Sequence, residues 1–385
     1  MKLTRIEPLV LNVSQKTNWL FIRVAADDGR TGLGEGSLNG WEPAQLAHAG
    51  MLAQELTGLT VDEALTRVAV YPHSPGGLIA SSIASAIEQA LVDLQAQQAG
   101  LPVCAYLGTP RRTAVRMYAN INRGARDRTP AGIARSAQDA VARGYTALKI
   151  APFDGVLPDR PAAANRKLID EGIARIYAMR EAVGSAVDLM VDCHWRFDER
   201  GAIALARELA AARLYWLECP VSENPDGYAA LARVRDAVHD HGMKFAGAER
   251  QIGVAGFRPY VENRLLDVVM PDVKYAGGYR EMLAIAALCE RHGVAFSPHN
   301  PTGPICNLAS VHLAAVAPAF TLLEHQLAES PLYTEVVHGY SLAPVDGCFR
   351  VPATPGLGVT LDDRVLAAHP YRPLAPNANL DPRLG

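Results

Sequence analysis

The chain has 385 residues, 49% hydrophobic and 20% charged, with a formal net charge of -3 at pH 7. That length suits one large core plus a smaller domain, and the charge offers no electrostatic case for binding nucleic acid. No unbroken apolar run approaches the ~20 residues needed to cross a bilayer, and the N-terminus lacks a secretory core, so a cytoplasmic protein without membrane contact is expected. The six cysteines lack paired CxxC spacing and read as free thiols rather than as zinc or redox motifs.

Three short strands open the chain, predicted at Leu3–Val13, Leu20–Ala26 and Thr31–Glu35, with Asp27-Asp28-Gly29-Arg30 as a hairpin signal. The loops Ser14–Trp19 and Ser37–Glu42 each carry a tryptophan, and Trp19 and Trp41 are candidates to close over a site. Helical periodicity covers Pro43 to Leu56, Val61 to Val68 and Ile79 to Gln98, the last stopped by Gly100 and Pro102. These elements make an α+β unit over residues 1–113.

From Val115 the pattern alternates strands with helices to about residue 328, and successive strands finish on a polar residue. The finishing residues are Lys149, Asp192, Glu218, Glu249, Asp272, His299 and Glu324, spaced from 23 residues (249 to 272) to 43 (149 to 192). Each interval holds one strand, one helix and two loops. Polar groups ending buried strands at that period read as the C-terminal rim of a β/α barrel, where such barrels keep their chemistry. After Glu324 the eighth helix is weak. Gly347 to Val359 reads as strand and turn, and residues 329–385 are expected to return over the first unit.

The rim carries the candidate chemistry. Asp192, Glu218 and Glu249 are hard oxygen donors on three consecutive strands, a set that suits Mg2+; separately, each reads equally as a helix N-cap. His299 and Asp272 end neighbouring strands, so the carboxylate would fix the imidazole tautomer and leave the other nitrogen to move a proton. Asp192 and His194 lie two apart and would point the same way if the strand continued. Lys149 would face the mouth and balance a substrate carboxylate, or else pair with Asp192 or Glu218.

Taken in order, Gly32-Leu-Gly-Glu35, Ala86-Ile-Glu-Gln-Ala-Leu-Val-Asp-Leu94, Leu148-Lys-Ile, Val191-Asp-Cys-His, Trp216-Leu-Glu-Cys-Pro, Ala248-Glu-Arg, Met270-Pro-Asp, Ser297-Pro-His and Pro355-Gly-Leu-Gly resemble the enolase superfamily in its mandelate racemase-like branch. The likeness covers nearly the whole chain. It implies an α/β fold, a modified (β/α)7β TIM-type barrel under an α+β capping domain. It also implies Mg2+-assisted removal of the proton α to a carboxylate, with an enediolate intermediate; use of a Lys or His base with Mg2+ is a general trait of such sites.

The racemase pattern ends strand two on Lys-x-Lys, but here the positions read Lys149-Ile150-Ala151, so the second lysine is missing. A His two residues after the first metal ligand, as in Asp192-Cys193-His194, is similar to the acid-sugar dehydratases of the galactonate type. The resemblance then makes His299 with Asp272 the base and His194 the acid that expels a hydroxyl, giving a 2-keto-3-deoxy acid from an aldonate or aldarate. Glu324 is similar to a strand-eight acid that hydrogen-bonds the substrate carboxylate when protonated; a structural ion pair is the alternative. Arg196, Asn120, Asn122, Trp19 and Trp41 are the remaining substrate-contact candidates. Epimerisation, racemisation or cycloisomerisation through the same enediolate is the alternative, and an acid-sugar sensor without turnover is a different class. The resemblance and an uncovered outer face of the capping domain also suggest a homo-oligomer.

Overall fold

In the computed structural model, residues 1–73 and 75–374 are described. β1 (Leu3–Asn12), β2 (Asn18–Ala26) and β3 (Thr31–Glu35) form an antiparallel sheet in chain order. Helices α1 (Glu42–Leu56) and α3 (Gly77–Ala99) pack on it, and α2 (Val61–Val68) packs on α3. Glycines on β3 set how closely α3 approaches: a Cβ on Gly34 would lie 1.9 Å from the Ala86 carbonyl oxygen, and one on Gly32 2.0 Å from that of Ala90. Without a Cβ the strand lies directly against the helix backbone.

β3 is an edge strand, and α3 covers its unpaired backbone. The Leu33 N–H donates to Asp93 Oδ2 at 3.0 Å, and the Glu35 N–H to Gln89 Oε1 at 3.2 Å. By length and composition α3 would pass for a membrane span, although most of it is buried within the protein. It is the core helix of the capping domain.

The barrel strands are β4 (Ala114–Asn120), β5 (Ala147–Ile150), β6 (Asp188–Asp192), β7 (Trp216–Glu218), β8 (Lys244–Gly247), β9 (Val268–Val269), β10 (Ala295–Phe296) and β11 (Leu323–Gln326). They pair in parallel in the order β10-β9-β8-β7-β6-β5-β4-β11. Closure comes from the backbone of Phe296, whose N–H donates to the Ala319 carbonyl (2.9 Å) and whose carbonyl accepts from Thr321 (3.0 Å). Between the strands run α5 (Pro130–Ala142), α6 (Ala162–Val183), α7 (Glu199–Glu208), α8 (Tyr228–His239), α9 (Gly253–Glu262), α10 (Gly278–His292) and α11 (Pro304–Val316); α4 (Val103–Leu107) leads into the barrel.

Parity places the site. Tyr118, Ala147, Met190, Trp216 and Leu322 form one buried layer inside the barrel. Two residues further on, the same strands point Asn120, Lys149, Asp192, Glu218 and Glu324 into the layer above, at the barrel mouth. Odd-phase residues such as Leu189, Val191 and Leu217 join the core beneath the helices.

After β11 the chain makes a short helix at Leu332–Glu335 and then β12 (Val337–His338), β13 (Cys348–Arg350) and β14 (Thr360–Leu361). β13 adds antiparallel to β4, and β12 pairs with β14. The segment then reaches the capping sheet, where the Asn12 N–H donates to the His369 carbonyl (3.0 Å) and Asn18 Nδ2 to that of Arg372 (2.9 Å). The part of the expected return over residues 375–385 lies outside the described residues.

A second tie joins the domains through Glu35, which is fully buried at the end of β3. Its carboxylate accepts from Thr302 Oγ1 (2.7 Å), the Gly303 N–H (2.8 Å) and the Cys306 N–H (2.9 Å), all at the start of α11, and from Ser37 Oγ (2.7 Å). The N-cap of α11 is Gly303, which has no side chain to offer. The capping domain supplies the cap instead.

Candidate active site

Carboxylate oxygens of Asp192, Glu218 and Glu249 come within 4.8 Å of one another, all three residues buried. Glu218 is held on both oxygens: Lys149 Nζ donates to Oε1 at 2.6 Å and the Trp216 indole, one layer below, to Oε2 at 2.8 Å. Glu249 has no such support, since its Oε2 is buried without a hydrogen-bond partner. Burial and then the negative charge of Asp192 push the Glu249 carboxyl up to about 8. Burial likewise drives Glu218 well above the usual range. Asp192 goes the other way, because His194 and Lys149 outweigh its burial.

Lys149 is the cation at the centre. Its ammonium lies 2.6 Å from Glu218, 3.0 Å from Glu324 and 3.9 Å from Asp192. Three buried carboxyls thus converge on one ammonium. The leftover negative charge and the unsatisfied Glu249 oxygen fit a divalent cation bound by oxygen ligands.

Histidines stand on either side of this group. His299 Nδ1 is 2.8 Å from Asp272 Oδ2, and its Nε2 is 3.5 Å from Glu249 Oε2. His194 Nε2 is 2.9 Å from Asp192 Oδ2. His194 follows β6 and His299 follows β10, with β7, β8 and β9 between them along the sheet. His194 arrives by a route that strand parity does not describe. β6 ends at Asp192, and His194 and Trp195 take left-handed φ values of 49° and 54°. Two such residues in sequence cost about 1–2 kcal/mol each, strain of the kind that collects at functional sites.

Both histidines, Lys149, Asp192, Glu249 and Glu324 line one cavity of about 1010 Å³. Its walls include Ser14–Thr17, Ser37 and Asn39 from the capping domain. The Thr17 hydroxyl and Arg123 both hold Glu329, which fastens the first capping loop to the barrel.

A chain with this site matches two family patterns, "Enolase C-terminal domain-like" over residues 132–365 and "Mandelate racemase / muconate lactonizing enzyme, N-terminal domain" over residues 2–108. The chain belongs to the enolase superfamily. Within the superfamily it is 30% identical over 380 residues to the D-galactonate dehydratase of Ralstonia pickettii (strain 12J), covering 95% of this chain and 94% of the relative. It is 33% identical over 291 residues to the D-gluconate dehydratase of Thermoproteus tenax, a match that spans 75% of this chain and 56% of that protein. Among solved structures, a mandelate racemase/muconate lactonizing enzyme from Jannaschia sp. CCS1 superposes with a TM-score of 0.85 at 27% identity, covering 97% of this chain and 98% of that one.

Set against the superfamily resemblance, the structure brings Asp192, Glu218, Glu249, Asp272, His299, His194, Lys149, Glu324, Asn120, Asn122 and Trp19 to or beneath the cavity. Trp41 and Arg196 are not among its lining residues. Trp41 occupies the N-cap of α1, and Arg196 Nη1 donates to the Val156 carbonyl at 2.9 Å. Trp19 belongs to β2 rather than to a loop, packed against Phe21 and Tyr333, so it is a fixed wall. Glu324 pairs with Lys149: although burial raises its carboxyl, Lys149, His299 and the Asn300 N–H bring it down to about 2, and Asn120 Nδ2 also donates to Oε1.

Sequence reading missed Lys274, a buried residue on the cavity wall whose ammonium pairs with Asp272. The signal was available: Lys274 follows Asp272 by two positions, the spacing that singled out His194 after Asp192.

Proposed function

We propose that this enzyme dehydrates an acid sugar, an aldonate or aldarate, to a 2-keto-3-deoxy acid. It is a carbon–oxygen lyase of the enolase superfamily, and its dehydratase relatives support the hydro-lyase reading. The observation that carries the reaction is the pair of imidazoles flanking the carboxylates, one of them backed by Asp272.

Asp192, Glu218 and Glu249 would hold Mg2+, which when bound stabilises negative charge building on the substrate carboxylate. His299 donates its Nδ1–H to Asp272, leaving Nε2 to accept the α-proton. His194 delivers a proton to the β-hydroxyl as the C–O bond breaks. One proton and one hydroxide equivalent leave as water, and the enol product tautomerises to the keto acid. Lys149 and Asn120 hold Glu324 in place beside the substrate carboxylate. The capping loop fastened through Glu329 keeps bulk water away from the enediolate. We also propose a homo-oligomer, for which a monomer by light scattering is the contrary result.

The test separates the two histidines. His299→Asn loses both α-hydrogen exchange in D2O and dehydration. His194→Asn loses dehydration by on the order of 10²–10⁴-fold yet still exchanges the α-hydrogen. Wild-type dehydration in both variants would remove the assignment. Exchange without water loss in the wild type, with the C2 epimer accumulating, would favour epimerisation, since two imidazoles on opposite sides also suit a 1,1-proton transfer.

A further inference from the structure

Glu223 lies outside the cavity lining and has no part in the chemistry above, yet it is a buried carboxylate wedged between two metal-ligand strand ends. Its Oε1 accepts the Ala248 N–H at 2.9 Å and faces Cys219 Sγ at 3.5 Å. Ala248 precedes Glu249, and Cys219 follows Glu218. Both leave strand geometry through left-handed φ values, 68° at Ala248 and 45° at Cys219, so neither backbone is in a conformation a non-glycine residue adopts unaided. The ladder between β7 and β8 ends where Glu218 pairs with Ala246, so the Ala248 N–H lies past its last rung. Glu223 accepts that N–H in place of a strand.

The surroundings are shaped for this contact. Gly247 carries no Cβ where one would lie 2.1 Å from Glu223 Oε1. The Tyr260 hydroxyl donates to the Glu223 carbonyl and holds the residue from behind. Glu249, with its unpartnered Oε2, has little direct side-chain support of its own. Its placement therefore depends on the backbone at Ala248.

We infer that Glu223 is a positioning residue that sets the separation of Glu218 and Glu249 and thereby the affinity of the site for a divalent cation. This rests on the reading that Asp192, Glu218 and Glu249 bind that cation together. Outer partners of ligating groups commonly govern 10–100-fold in metal affinity.

The experiment is calorimetric titration of the metal-free full chain with Mg2+, repeated with Mn2+, on wild type, Glu223→Ala, Glu223→Gln and Gly247→Ala. Glu223→Ala should raise Kd about 10–100-fold. Glu223→Gln keeps an oxygen for the Ala248 N–H and should stay within about 3-fold of wild type on the same scale. Gly247→Ala leaves the carboxylate chemistry intact but puts a methyl where its oxygen sits, so it should weaken binding as Glu223→Ala does. Wild-type affinity in folded Glu223→Ala and Gly247→Ala overturns the inference, and so does equal damage in Glu223→Gln, which would make charge rather than the hydrogen bond the cause. If Glu223→Ala is unfolded by circular dichroism, the contrast between Gly247→Ala and Glu223→Gln decides on the same terms. A wild type that binds neither ion refutes the metal reading itself, a result distinct from the others.

Discussion

Replacing Glu35 with alanine tests how the two domains are joined. The change strips the cap from α11 and leaves the Gly303 and Cys306 N–H groups buried without an acceptor. Each such group costs about 1–3 kcal/mol, and a buried carboxylate at a helix N-terminus contributes up to about 2 kcal/mol more. Burial raises the Glu35 carboxyl above its ordinary range, so part of that gain is already spent on desolvation. The net loss is then about 3–4 kcal/mol. With an unfolding entropy of ~2.1 cal/mol/K per residue, a chain of 385 residues has about 0.8 kcal/mol/K, and Tm should fall by about 4–5 °C. Glu35→Gln retains one acceptor oxygen and should lose about half as much. Differential scanning calorimetry at pH 7 reads both. An alanine variant melting within about 1 °C of wild type would show that Glu35 does not join the domains energetically.

Other consequences can be measured directly. His312, which accepts the Cys104 N–H and faces the Leu357 carbonyl, is held by burial at about 4 and stays neutral in the fold. Its contribution is present above the ordinary imidazole value and lost as pH falls from about 6.5 towards 4. The advantage of wild type over His312→Gln in urea unfolding should therefore shrink by up to ~3 kcal/mol across that window; a constant gap would refute it. Lys149→Met leaves Glu218, Glu324 and Asp192 without their ammonium. It should cost about 3–5 kcal/mol in metal-free protein and less in saturating Mg2+, read as Tm with and without the ion. Asp272→Asn frees the His299 tautomer and also strips the buried Lys274 ammonium of its counter-charge, so α-hydrogen exchange in D2O should drop by on the order of 10²–10⁴-fold and Tm should fall as well; wild-type exchange in a folded variant would refute the dyad.

The legible part of this molecule was whatever strand parity and spacing control. Lys149, Asp192 and Glu218 sit on β5, β6 and β7 in phase with Ala147, Met190 and Trp216 below them, so period two alone aims them at the mouth. Glu249, Asp272 and His299 lie two or three residues beyond their strands, and there the regular spacing of β/α units did the work. What stayed hidden was set by the fold around a side chain rather than by its neighbours in sequence. His194 reaches Asp192 through two left-handed residues, a turn that Cys193-His194-Trp195 does not announce. Glu324 meets its partner Lys149, far away in sequence, at 3.0 Å. Trp41 and Arg196 seemed available as side chains, but Trp41 falls at the N-cap of α1 and Arg196 reaches the carbonyl of Val156, far away in sequence.

The segment that ends at the capping sheet has a consequence for how the protein is made. β1 is made before every barrel strand, yet its Asn12 N–H finds its acceptor in His369, and Asn18 on β2 finds one in Arg372. α11, capped by Glu35, emerges about as late. Domains usually fold in order of synthesis. Here two strands of the capping sheet keep partners more than 350 residues downstream, so the barrel takes shape beneath a roof whose seams are still open. A chain cut just before His369 would carry every carboxylate and histidine of the site under a capping sheet that lacks these ties.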